Sequence, residues 1–185
     1  MLSEKETTRL SKFLSLVLRH QPQEIDLVLD ESGWATVNEL LEKLKTKGFA
    51  LDRAALEYVV ATNNKKRFAF NEDGTMIRAS QGHSVEVELG YAPQTPPTVL
   101  YHGTAEKNVA AILKEGLQRR SRRHVHLSTD KATAIKVGQR HGKPVVLEVM
   151  SGEMHKSSHT FYLSANGVWL TDSVPPQYVQ PLPKA

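Results

Sequence analysis

The chain has 185 residues, of which 39% are hydrophobic and 24% charged, with no cysteine and a formal net charge of +4. This length suits one large domain or two small lobes, and the absence of cysteine excludes disulfide bonds. The longest apolar runs are too short to cross a bilayer and no signal-peptide pattern begins the sequence, so we expect a cytoplasmic protein without a membrane partner. Residues 93–185 contain 12 Lys and Arg against 6 Asp and Glu, which makes the second half the basic one.

The first predicted element is an amphipathic helix. Ser3 and Glu6 have the spacing of a capping box. The apolar positions that follow share one helical face: Leu10, Phe13, Leu14, Val17 and Leu18. The helix is predicted to end near His20, because Pro22 cannot continue it.

Two more helices are predicted before residue 62. Thr36 and Glu39 form a second capping-box pattern, which predicts the start of a helix. Gly48 is predicted to end this helix. Asp52 is a candidate cap for a third helix, whose inward positions are Leu56, Val59 and Val60.

A β-hairpin is predicted next. Short alternating runs at 67–70 and 75–78 flank the turn sequence Asn71-Glu72-Asp73-Gly74. Three helices followed by a hairpin is the element order of a winged helix, which often binds nucleic acid. We therefore predict a winged-helix lobe over residues 1–90.

The remainder of the chain is predicted to form a second lobe. Three prolines in residues 91–97 indicate a linker. Beyond it, residues 98–185 alternate strands at 99–101, 125–127, 145–149, 161–163 and 168–170 with helices at 107–115 and about 130–137. This order indicates an α+β fold, and the sequence lacks the G-x-G-x-x-G pattern of a Rossmann nucleotide site.

Arginine is followed directly by histidine three times, at Arg19-His20, Arg123-His124 and Arg140-His141. Arginine matches phosphate oxygens with a planar fork, and histidine adds a donor that titrates near neutral pH. The pairs therefore predict a phosphate-handling site. The alternative is solvated surface charge, or, for the first pair, cations placed favourably at a helix C-terminus.

Histidines of the second lobe supply further candidates. His102-Gly103-Thr104 is predicted to follow a strand end, where glycine lets the backbone approach a ligand closely. A turn with a satisfied histidine is the alternative. His124 and His126 share one face of a predicted strand, a spacing that suits zinc, but no third ligand is evident and we predict no metal.

Five segments taken together resemble the RNA (tRNA) 2′-phosphotransferase family of the bacterial KptA type. They are residues 11–20, 77–84, 100–104, 122–128 and 161–172, which follow the family's order along nearly the whole chain. The resemblance implies a winged-helix RNA-binding lobe and an ADP-ribosyltransferase-like lobe that binds NAD. It also implies a tRNA-like RNA partner that carries a 2′-phosphate, and an enzyme of the tRNA-splicing type. We expect the protein to be a monomer.

The reaction implied by this resemblance has two steps and needs no metal. The RNA 2′-phosphate attacks C1″ of the nicotinamide ribose of NAD, which is consumed as a co-substrate, and nicotinamide leaves. The ribose O2″ then attacks phosphorus, which gives 2′-OH RNA and ADP-ribose 1″,2″-cyclic phosphate.

The resemblance also assigns roles to residues. The catalytic group is Arg19, His20, Arg67 and Arg122. Arg122 is chosen among the four arginines of residues 119–123 because the family pattern reads Arg, any residue, His-Val-His. Lys65, with Arg19 and Arg67, is assigned to the RNA phosphate. The residues assigned to NAD are His102, Gly103, Thr104, Ser128 and Asp130.

Alternatives from other classes stay open at this point. His102-Gly103-Thr104 and His126-Leu127-Ser128 both match the His-x-Thr/Ser signature of cofactor-independent two-histidine phosphoesterases. Those enzymes usually carry the two motifs in separate halves of an internal repeat, and this sequence shows no such repeat. An ADP-ribosyltransferase acting on terminal phosphates of nucleic acids is a second alternative. A non-catalytic winged-helix binder is the third, and it leaves the histidines of the second lobe unexplained.

Overall fold

A computed structural model of the protein describes residues 3–182. Contacts divide the chain into two compact units, the first ending at Gly90 and the second beginning at Tyr91. Each unit combines helices with small antiparallel sheets. Within the described residues, no helix has the length and apolar character needed to cross a membrane.

Helix α1, Glu4–Arg19, begins at the predicted capping box. The Ser3 hydroxyl accepts a hydrogen bond from the Glu6 amide at 3.3 Å, and the Glu6 carboxylate accepts one from the Ser3 amide at 2.8 Å. His20 is the C-terminal cap, and its amide donates to the Leu16 carbonyl. The predicted helix and its end are confirmed.

The next two helices are also confirmed. Helix α2, Val37–Thr46, begins after Thr36, whose hydroxyl accepts from the Glu39 amide at 3.3 Å. Helix α3, Arg53–Ala61, is capped by Asp52. These caps satisfy amides that have no partner within the helix, which fixes where each helix starts.

The sheet of the first unit has three strands, β1 (Ala35–Thr36), β2 (Phe68–Phe70) and β3 (Met76–Ala79), in the order β1-β3-β2. The β2–β3 hairpin is confirmed. The sequence analysis missed β1, because two residues are too few to show an alternating pattern. The helices pack on this sheet through a single buried core that includes Leu14, Leu40, Leu44, Leu56 and Ile77.

One sheet of the second unit contains β4 (Leu100–Ala105), β7 (Pro144–Val149) and β11 (Val179–Pro181), in the order β11-β7-β4. The predicted strand at 99–101 therefore continues to Ala105, because each of its six residues pairs with β7. The expectation that residues 102–104 follow a strand end is wrong, since they lie inside β4. Strand β11 was not predicted from the sequence.

A second sheet contains β6 (Val125–Leu127), β8 (Tyr162–Leu163) and β9 (Trp169–Thr171), in the order β6-β9-β8. Tyr101 and Ser128 connect the two sheets through paired backbone hydrogen bonds, each 2.8 Å long. A separate two-stranded pair is formed by β5 (Leu117–Gln118) and β10 (Ser173–Val174).

Three α-helices belong to the described part of the second unit: α4 (Val109–Glu115), α5 (Lys131–Gly138) and α6 (Ser151–Lys156). The sequence analysis missed α6, which has six residues and no side-chain cap at its start. Residues 91–97, which the sequence indicates as a linker, make contacts within this unit. The Gln94 amide donates to the Phe161 carbonyl, and the Ser151 hydroxyl donates to the Pro97 carbonyl.

Gly103 lies where helix α5 crosses strand β4. A Cβ atom built on Gly103 would meet the Ala134 carbonyl oxygen at 1.7 Å. On the helix side, a Cβ on Gly138 would meet the Thr104 carbonyl oxygen at 2.7 Å. Residue 103 must therefore be glycine because helix α5 packs directly against it. The sequence analysis had attributed this glycine to the close approach of a ligand.

We expect Gly103→Ala to destabilise the protein by more than about 3 kcal/mol, because the new methyl group overlaps a backbone atom that side-chain rotation cannot move. Gly167→Ala is the matched control. It has no atom within 4 Å of its Cβ but a φ of +78°, so its cost is limited to roughly 1–2 kcal/mol of left-handed backbone strain. Urea unfolding measures both variants. Equal destabilisation by the two substitutions would contradict the packing argument.

Candidate functional site

Arg19 and His20 lie at the C-terminal end of α1, and the segment that follows β3 holds them there. The amides of Ser84 and Val85 donate to the Arg19 carbonyl at 2.8 and 3.3 Å. The Ser84 hydroxyl lies 2.9 Å from His20 Nδ1. This segment, residues 80–85, is called the connecting segment below.

The connecting segment also holds Arg67. The Ser80 amide donates to the Arg67 carbonyl at 2.8 Å, and the Ser80 hydroxyl donates to the Lys66 carbonyl at 3.0 Å. Lys66 has a positive φ of 42°, which turns the chain just before Arg67. One short stretch of chain thus brings the main chain of Arg19 and that of Arg67 near each other, as a shared site requires.

Asn63 makes a second connection between the same two regions. Its amide nitrogen donates to the Ser11 hydroxyl of α1 at 2.9 Å. Its side-chain oxygen accepts from the amides of Lys65 and Arg67, each at 3.3 Å. The loop that carries Lys65 and Arg67 is therefore fixed to the helix that carries Arg19.

His83 is the buried histidine of the connecting segment, with 1% of its surface exposed. Within residues 3–182 neither ring nitrogen has a hydrogen-bond partner. Burial, followed by the nearby charges of Arg19, Arg78 and His20, lowers the pKa of His83 to about 4. The ring is consequently neutral at pH 7 and adds no charge beside the arginines.

In the second unit, His126 joins two of the predicted site residues. Its carbonyl oxygen lies 3.2 Å from His102 Nδ1, and its own Nδ1 lies 3.1 Å from a guanidinium nitrogen of Arg122. Because a carbonyl only accepts, His102 carries a proton on Nδ1. Because a guanidinium only donates, His126 Nδ1 accepts. Among the four arginines of residues 119–123, this contact belongs to Arg122, the one selected from the sequence.

The charge state of this cluster follows from its surroundings. Burial lowers the pKa of His102, and the charges of Arg122 and His141 lower it further, against the opposing effect of the His126 carbonyl. Partial burial and the charge of Arg140 lower the pKa of Arg122, which still remains a cation at pH 7. A neutral imidazole with an Nε2 acceptor thus lies close to a permanent cation.

Four residues assigned to NAD have structural tasks of their own. Asp130 caps α5, and hydrogen bonds from the Thr133 amide and hydroxyl lower the pKa of its carboxyl group. Thr104 is buried, and its hydroxyl accepts from Asn108 at 3.4 Å. Gly103 accommodates α5, as described above. Ser128 forms the backbone bridge to Tyr101.

The other two Arg-His pairs have different surroundings. His124 packs against the Tyr162 ring, with Asp172 3.9 Å from its Nε2. Arg140 and His141 form the end of a 3-10 helix over Gln139–His141 and are exposed. In the part of the chain that the structure describes, no three His, Asp or Glu side chains are grouped as a metal site.

Comparison with known proteins identifies the family. The pattern of the family described as "RNA 2'-phosphotransferase, Tpt1 / KptA family" matches residues 5–173. The chain belongs to this family. It is 58% identical to a "Probable RNA 2'-phosphotransferase" of Flavobacterium johnsoniae over 179 residues, which are 97% of this chain and 98% of that protein. It is 56% identical to a protein of the same name from Agrobacterium fabrum, over 94% of this chain and 93% of that protein.

For this RNA 2′-phosphotransferase family member, the sequence analysis missed the residues that hold the candidate site together. Ser84 and His126 lie in segments that carry the family resemblance, but their sequence neighbours do not reveal which side chains they contact. Ser80 also lies in one of these segments. Asn63 gave no signal, because a polar residue in a loop is ordinarily solvated. Their roles depend on contacts between positions far apart in the chain.

The pKa of His83 predicts an acid-sensitive contribution to stability. The folded pKa is below the unfolded value, so the unfolded state binds the proton more tightly. Stability is complete above about pH 6.5 and is lost as the pH falls to about 4. The lowered pKa corresponds to roughly 3 kcal/mol. We expect His83→Leu to remove this component in urea unfolding measured across that range.

Subtracting the variant's pH dependence from that of the unmodified protein isolates the His83 component from the carboxyl groups that titrate in acid. The control is His155→Leu, at an exposed position in α6. The prediction is wrong if His83→Leu and the unmodified protein lose stability in parallel between pH 6.5 and 4.5.

Proposed function

We propose that the protein removes an internal 2′-phosphate from RNA by an NAD-dependent transfer in two steps. Membership of the RNA 2′-phosphotransferase family supports an RNA phosphotransferase. The observation that best supports the finer proposal is the connecting segment, which ties Arg19 and His20 to Arg67. These side chains are suited to a migrating phosphate, since two provide permanent charge and one provides a transferable proton.

We also propose a fold family for each unit. The order α1-β1-α2-α3-β2-β3 with a β2–β3 hairpin supports a winged helix in the first unit. Lys65, three residues before β2, is assigned to RNA phosphates in this proposal. The two small sheets joined at Tyr101 and Ser128 support an ADP-ribosyltransferase-like, NAD-binding unit.

The donor set near His102 suits a dinucleotide. With the proton held on Nδ1 by the His126 carbonyl, the neutral ring of His102 offers Nε2 as an acceptor for a ribose hydroxyl. Ser128, at the adjoining bridge, supplies a hydroxyl of either polarity. When bound, NAD supplies the electrophilic ribose carbon and the nicotinamide leaving group. Asp130 is the least suited of the assigned residues, because the cap of α5 occupies its carboxylate.

The first step asks the protein mainly for alignment. A phosphate dianion is already a nucleophile, so no general base is needed, and the arginines act by fixing its position and orientation. Arg19 and Arg67 have the rigid main-chain attachment that this requires.

The second step asks for charge stabilisation and for a proton. Attack of the ribose O2″ on phosphorus gathers negative charge on a crowded centre, which Arg19 and Arg67 stabilise as preorganised cations. The family resemblance assigns the same task to Arg122. His20 donates its proton to the departing RNA 2′ oxygen. Every member of the proposed catalytic group therefore has more to do in this step than in the first.

We expect turnover of RNA bearing one internal 2′-phosphate to require NAD and to continue in EDTA, because arginine charge performs the task that a metal would. The measurement follows conversion to 2′-OH RNA and formation of ADP-ribose 1″,2″-cyclic phosphate. RNA with a 2′-OH at the same position is the substrate control.

Each other outcome of this assay selects a different function. Dephosphorylation without NAD would favour a two-histidine phosphoesterase. This alternative is tested because the two histidines of its signature are in contact, through the His102 ring and the His126 carbonyl. Stable ADP-ribosylation of a terminal phosphate would favour a nucleic-acid ADP-ribosyltransferase. RNA binding without any turnover at saturating NAD would favour a simple binding module.

We expect His20→Ala to slow the second step by roughly 10²-fold or more, the contribution typical of a positioned proton donor. The first step should change little, because this donor has no task until the RNA oxygen leaves. RNA carrying ADP-ribose on its 2′-phosphate should accumulate and migrate as a slower band on a denaturing gel.

The matched control is His155→Ala, which removes an exposed histidine of α6 and should behave like the unmodified protein. Equal slowing of substrate consumption and product formation by His20→Ala, with no slower band at any time, would rule out the role given to His20.

A further inference from the structure

Ser84 is the connecting-segment residue that contacts Arg19 through its main chain and His20 through its side chain. Its amide donates to the Arg19 carbonyl at 2.8 Å, which fixes the position of the Ser84 backbone against the end of α1. Its hydroxyl lies 2.9 Å from His20 Nδ1. The hydroxyl is thus fixed at one ring nitrogen by a backbone that the same helix end holds in place.

We propose that Ser84 is a positioning residue that orients the His20 ring and keeps the Nδ1 proton in place, so that Nε2 is the nitrogen that delivers a proton to the leaving RNA oxygen. This inference rests on the proposed function. The family comparisons name an activity and assign no role to Ser84.

Proton accounting explains why Nδ1 should keep its proton. In the second step the O2″–P bond forms and the bond from phosphorus to the RNA 2′ oxygen breaks. The O2″ proton passes to water, and the RNA oxygen takes a proton from Nε2 of the His20 imidazolium. The ring that remains is neutral and protonated on Nδ1, where Ser84 Oγ accepts that hydrogen bond before and after the transfer. No ring rotation or tautomer exchange is needed.

A hydroxyl suits this task better than a carboxylate would. It carries no charge, so it does not hold the imidazolium against release of its proton. Arg19 precedes His20 directly, and Arg19 and His20 both act electrostatically on the neighbouring His83. A neutral partner at Nδ1 therefore leaves the Nε2 proton free to transfer.

The test compares Ser84→Ala with Ser84→Thr in a time course that resolves both chemical steps. We expect Ser84→Ala to slow the second step by on the order of 10-fold, a part of the roughly 10²–10⁴-fold contribution of a general acid. The ADP-ribosylated RNA should then accumulate. Ser84→Thr retains the hydroxyl and should restore most of the second-step rate.

The matched control is Thr46→Ala, which removes an exposed hydroxyl that donates to the Lys43 carbonyl at 2.7 Å. It deletes one side-chain hydrogen bond from the first unit without touching the connecting segment, so neither step should change. A merely structural role for Ser84 would slow both steps alike, and that result would overturn the proposal. So would a Ser84→Thr variant as slow in the second step as Ser84→Ala.

A measurement without substrate judges the contact independently. Nitrogen-15 NMR of the histidine rings, with His20 assigned by its loss in His20→Ala, reports which nitrogen holds the proton in the neutral ring. The proposal requires Nδ1–H in the unmodified protein, and a neutral ring protonated on Nε2 overturns it. If the unmodified protein shows no NAD-dependent turnover, the proposed function fails while this spectrum still decides whether Ser84 fixes the His20 tautomer.

Discussion

The candidate phosphate site depends on main-chain hydrogen bonds made by one six-residue segment. The last carbonyls of an α-helix have no partner inside the helix, and the Arg19 carbonyl is one of them. Amides of the connecting segment satisfy it, and another amide of the same segment satisfies the carbonyl of Arg67. Each bond contributes only about 1 kcal/mol net. Their value lies in geometry, because they fix two cationic residues whose charges would otherwise move apart.

His126 has a comparable position in the second unit. Its main chain orients the His102 ring, and its side chain contacts Arg122. In both units the residues with proposed chemical roles are held by neighbours with no such role. A rigid second layer of this kind is what preorganised electrostatic stabilisation needs, since a site that had to reorganise would lose most of the benefit.

Local features of the sequence predicted the local features of the structure. Ser3, Thr36 and Asp52 correctly predicted where their helices begin, because a helix cap depends on residues only three positions apart. The Asp73-Gly74 turn predicted the β2–β3 hairpin, because a tight turn is likewise encoded by neighbouring residues. Strand β1 and helix α6 were missed because two and six residues are too few to establish a period.

Contacts between residues far apart in the chain could not be predicted from local sequence patterns. The reach of β4 through His102 to Ala105 depends on its pairing with β7, and the need for glycine at 103 depends on a carbonyl of α5. The names of the site residues came from family resemblance, while the residues that support them, such as Asn63 and Ser84, became visible only through their contacts.

The hydrogen bonds of the connecting segment also fix how many residues can lie between Ser80 and Ser84. Three residues separate Ser80 from Ser84, and Gly82 among them has a φ of +87°, a conformation that other residues seldom adopt. One added residue would lengthen the path by up to about 3.5 Å, whereas hydrogen-bond distances vary by only about half an ångström. Most surface loops accept insertions and deletions. This loop has the opposite character, so loop exchange or insertional tagging between residues 80 and 84 would separate the two arginines even if every side chain were kept.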